Sequence, residues 1–522
     1  MKLNMVLILL VISFVSISFA VQPTPIPKHL NSFSSISESW ARTWGGSSSD
    51  AIYNVAVDGS ENVYIAGQFG GTVDFDPGVG TTYCTASGGQ DVFISKFDAT
   101  GNFIWVKTWG GIGREVPNGL AIDGSGNVYV SGPYQYTVDF DPSSGFAVHT
   151  SNAGSMNNVY LSKFNSSGVF QWVRTWGPAD GGSESYSLAI DSANNIYVEG
   201  DYSGTSTNYN PWDSLHPDWH TNHPGPLAAF DSFLSKFDSN GNFIWARTWG
   251  GEGYDDGPGV AVDNAGNVYV AGMYASKTID FNPTGGEPNH PAHDSGFIVD
   301  VFLSKFSSNG DFKWVRTWGG QNTEDAGGIV AIDGLGNVYA AGRYASFSCD
   351  FNPWDPLHPD IHSCKGSVDA FISKFDSSGN FVWAKTWGGT GWDAVTGLAI
   401  DGANNTYATG TFAGTAYFDP DGTTSITANG GQDIFYVKFD SSGNLQWVNT
   451  WGGSTDDWGY HVAVNQAGDI SYLVGSFSNT VDFDPSTGID NHISNGLTDA
   501  FLSKFLSPAT AIILSRYWIQ LE

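Results

Sequence analysis

The sequence predicts an all-β fold, a seven-bladed β-propeller of four-stranded antiparallel blades, on three observations. Trp-x-x-x-Trp-Gly recurs seven times, four strand signals follow in fixed order between recurrences, and the first recurrence supplies a strand that the last unit lacks.

The recurrences are Trp40/Trp44, Trp105/Trp109, Trp172/Trp176, Trp245/Trp249, Trp314/Trp318, Trp383/Trp387 and Trp447/Trp451, spaced 64 to 73 residues apart. A fixed period of this kind marks a repeat architecture, here somewhat longer than a short propeller blade. In the first unit the strand signals cover 52–57, 62–67, 91–97 and 103–109, each short, rich in Val, Ile, Phe, Tyr or Trp, and bounded by Gly, Asp, Asn or Ser. The first pair is joined by Asp58-Gly-Ser-Glu-Asn62 and the last pair by Asp98-Ala-Thr-Gly-Asn102. Gly and Asn tolerate positive φ and Asp accepts nearby backbone N–H groups, so both segments read as hairpin turns. Phe93 and Phe97 lie on one face of their strand and Ile94 on the other, which suits a sheet covered on both sides.

The seventh unit stops after 499–505 without its Trp-x-x-x-Trp strand, whereas 40–44 belongs to no preceding unit. The two deficits match, so the N-terminal strand is expected to complete the last blade. An open solenoid would instead need polar caps at both ends. The repeated tryptophans are read as core. The seven repeated lysines, such as Lys96 and Lys163, are expected to lie along apolar surface and pair with a repeated Asp such as Asp58.

Residues 1–20 have the charge and apolar run of a secretory signal peptide, 21–39 form a proline-containing lead-in, 40–505 the propeller and 506–522 a C-terminal tail. The expected setting is therefore outside the cytoplasm, with no membrane-spanning segment and a monomeric state. Acidic residues number 52 against 21 basic, a net charge of −31, which disfavours nucleic acid as a partner. Of three cysteines, Cys349 and Cys364 flank a 14-residue excursion and are expected to form a disulfide, leaving Cys84.

The patterns Trp-x-x-Thr-Trp-Gly-Gly, Val-Asp-x-x-Gly-Asn-Val-Tyr-x-x-Gly and Asp-x-Phe-x-Ser-Lys-Phe resemble the SBBP family of bacterial β-propeller repeats, across about 40–505. Part of the pattern also looks like NHL repeats. The resemblance implies a propeller in an exported or bacterial cell-surface protein and brings no catalytic residues. Gly177-Pro178 and Asn449 depart from it.

Loops on one face of a rigid scaffold are the usual seat of binding. An Asp-Phe-Asp/Asn-Pro element recurs there, as in Asp74-Phe-Asp-Pro77, and reads either as half of a hard-cation site or as an Asx-type turn. Units three and five share Asn-Pro-Trp-Asp-x-Leu-His-Pro-Asp-x-His at 210–220 and 352–362. The candidate ligand-binding residues are Trp212, His216, His220, His223, His290, His293, Trp354, His358 and His362. Asp213, Asp218, Asp355 and Asp360 are the candidate metal ligands, calcium ahead of zinc because oxygen donors outnumber imidazoles. Ser-His-Asp order, His-Glu-x-x-His, a phosphate loop and a dinucleotide fingerprint are all missing. The leading expectation is a secreted or surface module that binds a glycan, peptide or protein through the long loops of units three to five. The alternatives are a structural or adhesive component and an extracellular lyase or hydrolase.

Overall fold

The computed structural model describes residues 39–506, apart from 153, 155, 224–229, 278, 284, 286–298, 321–324, 420–423 and 486–487. The expected signal peptide, nearly all of the lead-in, the tail beyond Leu506, and His290 and His293 lie outside the described residues. Every regular element described is a strand, and no helix is long and apolar enough to cross a membrane.

Strand pairing gives seven four-stranded antiparallel units among the described residues. Each runs from an inner strand, such as Ala51–Val57, through Val63–Phe69 and Asp91–Phe97 to an outer strand, such as Phe103–Trp109. Fifth and sixth units are also bridged, by Gly388 and Gly389 pairing with Tyr417 and Ala416. The last unit is completed from the other end of the chain: Trp40–Trp44 pairs with Asp499–Leu506 in the register Trp40↔Lys504 to Trp44↔Ala500. Each inner strand touches the next, and Trp458–Val464 returns to touch Ala51–Val57, so the units close a ring.

The apolar residues form seven clusters, each shared by two neighbouring units. Trp44, from the closing strand, packs with Leu502 of the last unit and with Ile52 and Phe97 of the first. This placement follows from the sequence pattern: strands with apolar side chains on both faces need a cover on each side.

The turns are fixed by the repeated Asp. Asp58 accepts hydrogen bonds from Ser60 N, Asn62 N, Asn62 Nδ2 and Tyr64 Oη at 2.8–3.1 Å. Burial alone would raise its pKa, but these donors outweigh burial and hold the carboxyl below its ordinary range. The glycine after each outer Trp has a different cause. A Cβ on Gly110 would lie 2.4 Å from the Asp91 carboxyl, so only glycine admits that buried acid.

Two expectations are corrected. The repeated lysines lie over tyrosine rings, as Lys163 does 5.0 Å from the Tyr129 centroid, and all but Lys438 reach a turn carbonyl of the next unit, such as Ser239 O at 2.8 Å. Among the described residues only Lys374–Asp333 (3.6 Å) and Lys438–Asp401 (3.9 Å) come within ion-pair range. These lysines therefore act mainly as clamps between units. The second correction concerns Cys349 and Cys364, which are free thiols in one apolar cluster. The strand register sets Cys349 opposite His362 rather than Cys364, and the Cys364 thiol donates instead to Gly366 O.

Candidate functional site

Between its second and third strands each unit carries a connection; among the described residues five of these fold into a separate two-stranded ribbon, as in Ser206–Asn208 with Trp219–Thr221, and in the sixth unit the strands run on to form one, with Ala416 opposite Ile426. The Asp-Phe-Asp-Pro element begins the ribbon tip and behaves as a turn cap: Asp74 Oδ1 accepts from Asp76 N at 3.2 Å and from Thr82 N at 2.7 Å.

A repeated bond anchors the ribbons. His149, His220, His362 and His492 occupy equivalent positions and bond through Nδ1 to Thr175, Thr248, Thr386 and Thr43 at 2.7–2.9 Å. In the first unit Cys84 takes this position, with its thiol bonded to Thr108. The threonine is that of Trp-x-x-Thr-Trp, so each ribbon is tied to an outer strand. Sequence reading missed this pairing because the partners are 24 to 28 residues apart or at opposite ends of the chain. His220 and His362 are thus anchors first.

The duplicated loop has one geometry in both copies. Asp213 Oδ2 bonds His216 at 2.9 Å, and Asp355 Oδ2 bonds His358 at 2.9 Å. Those bonds hold both carboxyls below the ordinary range. Asp218 and Asp360 face the Nε2 of His220 and His362 at 3.2 and 3.3 Å. Asn210 and Asn352 close the loops by donating to His216 O and His358 O. The four carboxylates are divided among four histidines, and among the described residues no group of three or more His, Cys, Asp or Glu converges on a metal position. His223 lies elsewhere, bonded to the buried Asp231 at 2.8 Å, which raises its pKa.

Trp212 stacks on Phe237 (6.2 Å, 18°) beside Trp176, with the Arg174 guanidinium 5.8 Å from its centroid. Trp354 repeats this on Trp318, Phe375 and Arg316. Beside Trp212 opens a cleft of about 600 Å³ between the second and third units. Its walls include His149, Asn152 and Asn158 from one unit and Asp180, Asn208, Trp212 and Trp219 from the other. Exposed apolar residues also form a row, since Tyr83, Val148, Trp219 and Ile361 all begin the second strand of their ribbons and are 55–68% exposed.

The inner strands enclose a second cavity of about 380 Å³, lined by Tyr53, Asn118, Tyr186, Tyr460 and His461 among others. Beside it units three and four bury a carboxylate cluster. Glu199 and Asp201 share a face of Ile196–Tyr202, Glu184 stands opposite Asp201, and Asp256 enters from the next inner strand. Tyr186 Oη donates to Asp201 at 3.2 Å, Tyr254 Oη donates to Asp256 at 3.1 Å, and Arg114 lies 3.5 Å from Glu184. Glu199 is fully buried and no side chain donates to it. Burial, then the nearby Asp256 and Asp201, push its pKa well up, offset in part by the N–H groups of Gly200 and Gly257. Asp256 is pushed to about 7, chiefly by burial.

Residues 244–273, from the third unit's outer strand into the fourth unit, match the family model for the SBBP beta-propeller repeat. An uncharacterized WD repeat-containing protein of Acanthamoeba polyphaga mimivirus is 24% identical over 84% of this chain, which spans 36% of that protein. The regulatory protein FlaEY of Caulobacter vibrioides is 28% identical over 33% of the chain and 17% of its own length. The chain thus spans about a third or less of these relatives. Among solved structures, Sqt1 from Chaetomium thermophilum is similar at a TM-score of 0.40 and 11% identity, covering 90% of this chain and 99% of that one. Taken with the strand pairing, the sequence match makes this chain a β-propeller repeat protein that carries the SBBP repeat.

Proposed function

We propose that the chain is a binding module of the cell exterior, and that its ligand face is the layer of ribbons. The observation that carries this reading is the exposure of Tyr83, Val148, Trp219 and Ile361 at equivalent ribbon positions, together with Val79, Phe146, Leu215 and Leu357 at the ribbon tips. A ribbon that served only to cap its unit would gain nothing from apolar side chains turned to water, whereas a binding surface uses them. The His–Thr anchors support the reading further, because ligand contacts on a fixed frame lose little ordering entropy on association. The ligand classes that suit the face are a glycan, a peptide or a protein surface.

The test sets the full chain beside a variant carrying Tyr83→Ser, Val148→Ser, Trp219→Ser and Ile361→Ser. Both are applied to glycan arrays, peptide arrays and intact bacterial cells. Saturable binding to at least one of these is expected, weakened about tenfold or more in the variant, with the melting temperature little changed. Binding to none of them, or binding that the variant leaves intact, overturns the reading.

A further inference from the structure

The third unit departs from its neighbours at several positions that the fold brings together. Among the described residues it alone sets an exposed indole, Trp219, where the other ribbons have Tyr83, Val148, Ile361, Ser425 or Asn491. It also carries Trp212, whose only counterpart in the repeat is Trp354. The chain enters this unit through Gly177-Pro178 in place of Gly-Gly, and Gly177 and Asp180 line the same cleft as the two indoles. The floor differs as well. At the other junctions a buried carboxylate faces the glycine after the outer Trp, as Asp91 faces Gly110 and Asp231 faces Gly250, but here Asn158 faces Gly177. A second buried acid follows at those junctions, as Glu115 or Asp255, and Ser183 stands in its place.

The result is a cleft of about 600 Å³, within the span of about 300–1,000 Å³ usual for small-molecule sites. Its polar groups are mostly neutral: the amides of Asn152 and Asn208, the hydroxyls of Thr150 and Ser206, and the imidazole of His149. No lysine or arginine lines it, and Asp180, its one carboxylate, is engaged by Thr205 N and Oγ1 at 2.9 and 2.8 Å. Flat indole faces pack well on the C–H faces of a sugar ring, and neutral donors and acceptors match its hydroxyls. A polyanion would meet no cation in the cleft and a net charge of −31 around it.

We infer that this cleft binds a neutral oligosaccharide, with Trp219 as the stacking platform and Trp212 as its fixed wall. The inference rests on the binding-module reading and narrows it to one site and one ligand class. Trp212 is held by Phe237 and Trp176, and its loop by Asn208, whose Oδ1 accepts Asn210 N and Asp218 N at 3.0 Å.

The test is a neutral-glycan array, followed by calorimetric titration of the full chain with the strongest hit. Cellohexaose, N-acetylchitohexaose, heparin and a mixed-sequence peptide library are titrated alongside. Saturable binding of a neutral glycan is expected, weakened at least about tenfold by Trp219→Ala and unchanged by Ile104→Ala, an exposed apolar residue of the first unit's outer strand that does not line the cleft. Trp219 is largely exposed, so its loss should leave the melting temperature in place. The inference is overturned if no neutral glycan binds, if only heparin or peptide binds, or if Trp219→Ala leaves glycan affinity intact or matches Ile104→Ala. Peptide or cell binding lost in the four-site ribbon variant, without glycan binding, rejects the saccharide and keeps the module. An absence of any ligand rejects both.

Discussion

At the scale of single residues, the repeat serves as its own control. The position of Glu199 is Ala66, Ala271 and Ala341 in three other units, yet Glu199 is fully buried and no side chain donates to it. A buried carboxylate is costly when charged, and its neutral form is favoured, so its folded pKa lies above the unfolded one. The folded state then binds more protons than the unfolded chain, and stability falls as pH rises past the ordinary carboxylate range. Glu199→Gln keeps the shape and removes the charge. It is expected to stabilise the protein at pH 8 by about 1–3 kcal/mol and to change little at pH 4.5. Urea unfolding of both proteins at the two pH values is the check. Equal effects at both would mean that the charge at this position is not what costs stability.

Among the elements, the strand Trp40–Trp44 has the most to hold, since it joins the two ends of the folded chain. Trp44 is 5% exposed and packs 5.6 Å from Phe97 of the first unit. Trp44→Ala is therefore expected to cost about 3–5 kcal/mol, as large-to-small core changes do. A chain shortened to begin after residue 46 should melt at lower temperature, with partial recovery when a peptide spanning 38–46 is added. A shortened chain as stable as the original would show that the closing strand contributes little. This closure was legible in the sequence because both of its signals, a surplus strand and a missing one, are written in the same local pattern. The Asp-x-x-Gly-Asn turns were legible for the same reason: Asp58 and its partners lie within six residues. The site was only half legible. The motif at 210–220 pointed to Trp212, but the cleft also needs Asn152 and Asn158 from the unit before, and no spacing in the chain relates them. The disulfide failed on register, which the spacing of Cys349 and Cys364 does not fix. The lysines failed on reach, because six of the seven extend to the next unit's turn, as Lys236 does to Ser308 O at 2.9 Å, and only Lys374 and Lys438 also come near the Asp of their own unit among the described residues.

For the whole molecule, two sets of acids pull stability in opposite directions with pH. The buried acids at the junctions are raised by burial: Asp50, Asp255, Asp369 and Asp457 to about 6, Glu115 and Asp393 to about 7. Each binds a proton more tightly folded than unfolded, so the stability they give is full below the ordinary carboxylate range and is lost as pH climbs through about 6–7. The turn acids behave the other way. Asp123, Asp238, Asp376 and Asp440 gain less from desolvation than their asparagine and backbone donors take away, so their carboxyls sit below the ordinary range. Their contribution is present above that range and disappears as pH falls below it. Between the two windows lies a maximum at the ordinary carboxylate range itself, near pH 4, which is more acidic than the pH 5–8 span where most proteins are most stable. Self-repulsion at a net charge of −31 adds to the alkaline loss and is screened by salt, while the buried acids respond far less. Melting temperature measured from pH 3 to 9 should therefore peak near pH 4 and fall from there to pH 8. Addition of 0.5 M sodium chloride should recover part of that fall at pH 8 and little at pH 5, the unrecovered part belonging to the junction acids. A plateau from pH 5 to 8 would mean that the paired acids stay ionised at no cost, and full recovery by salt would assign the whole effect to the surface.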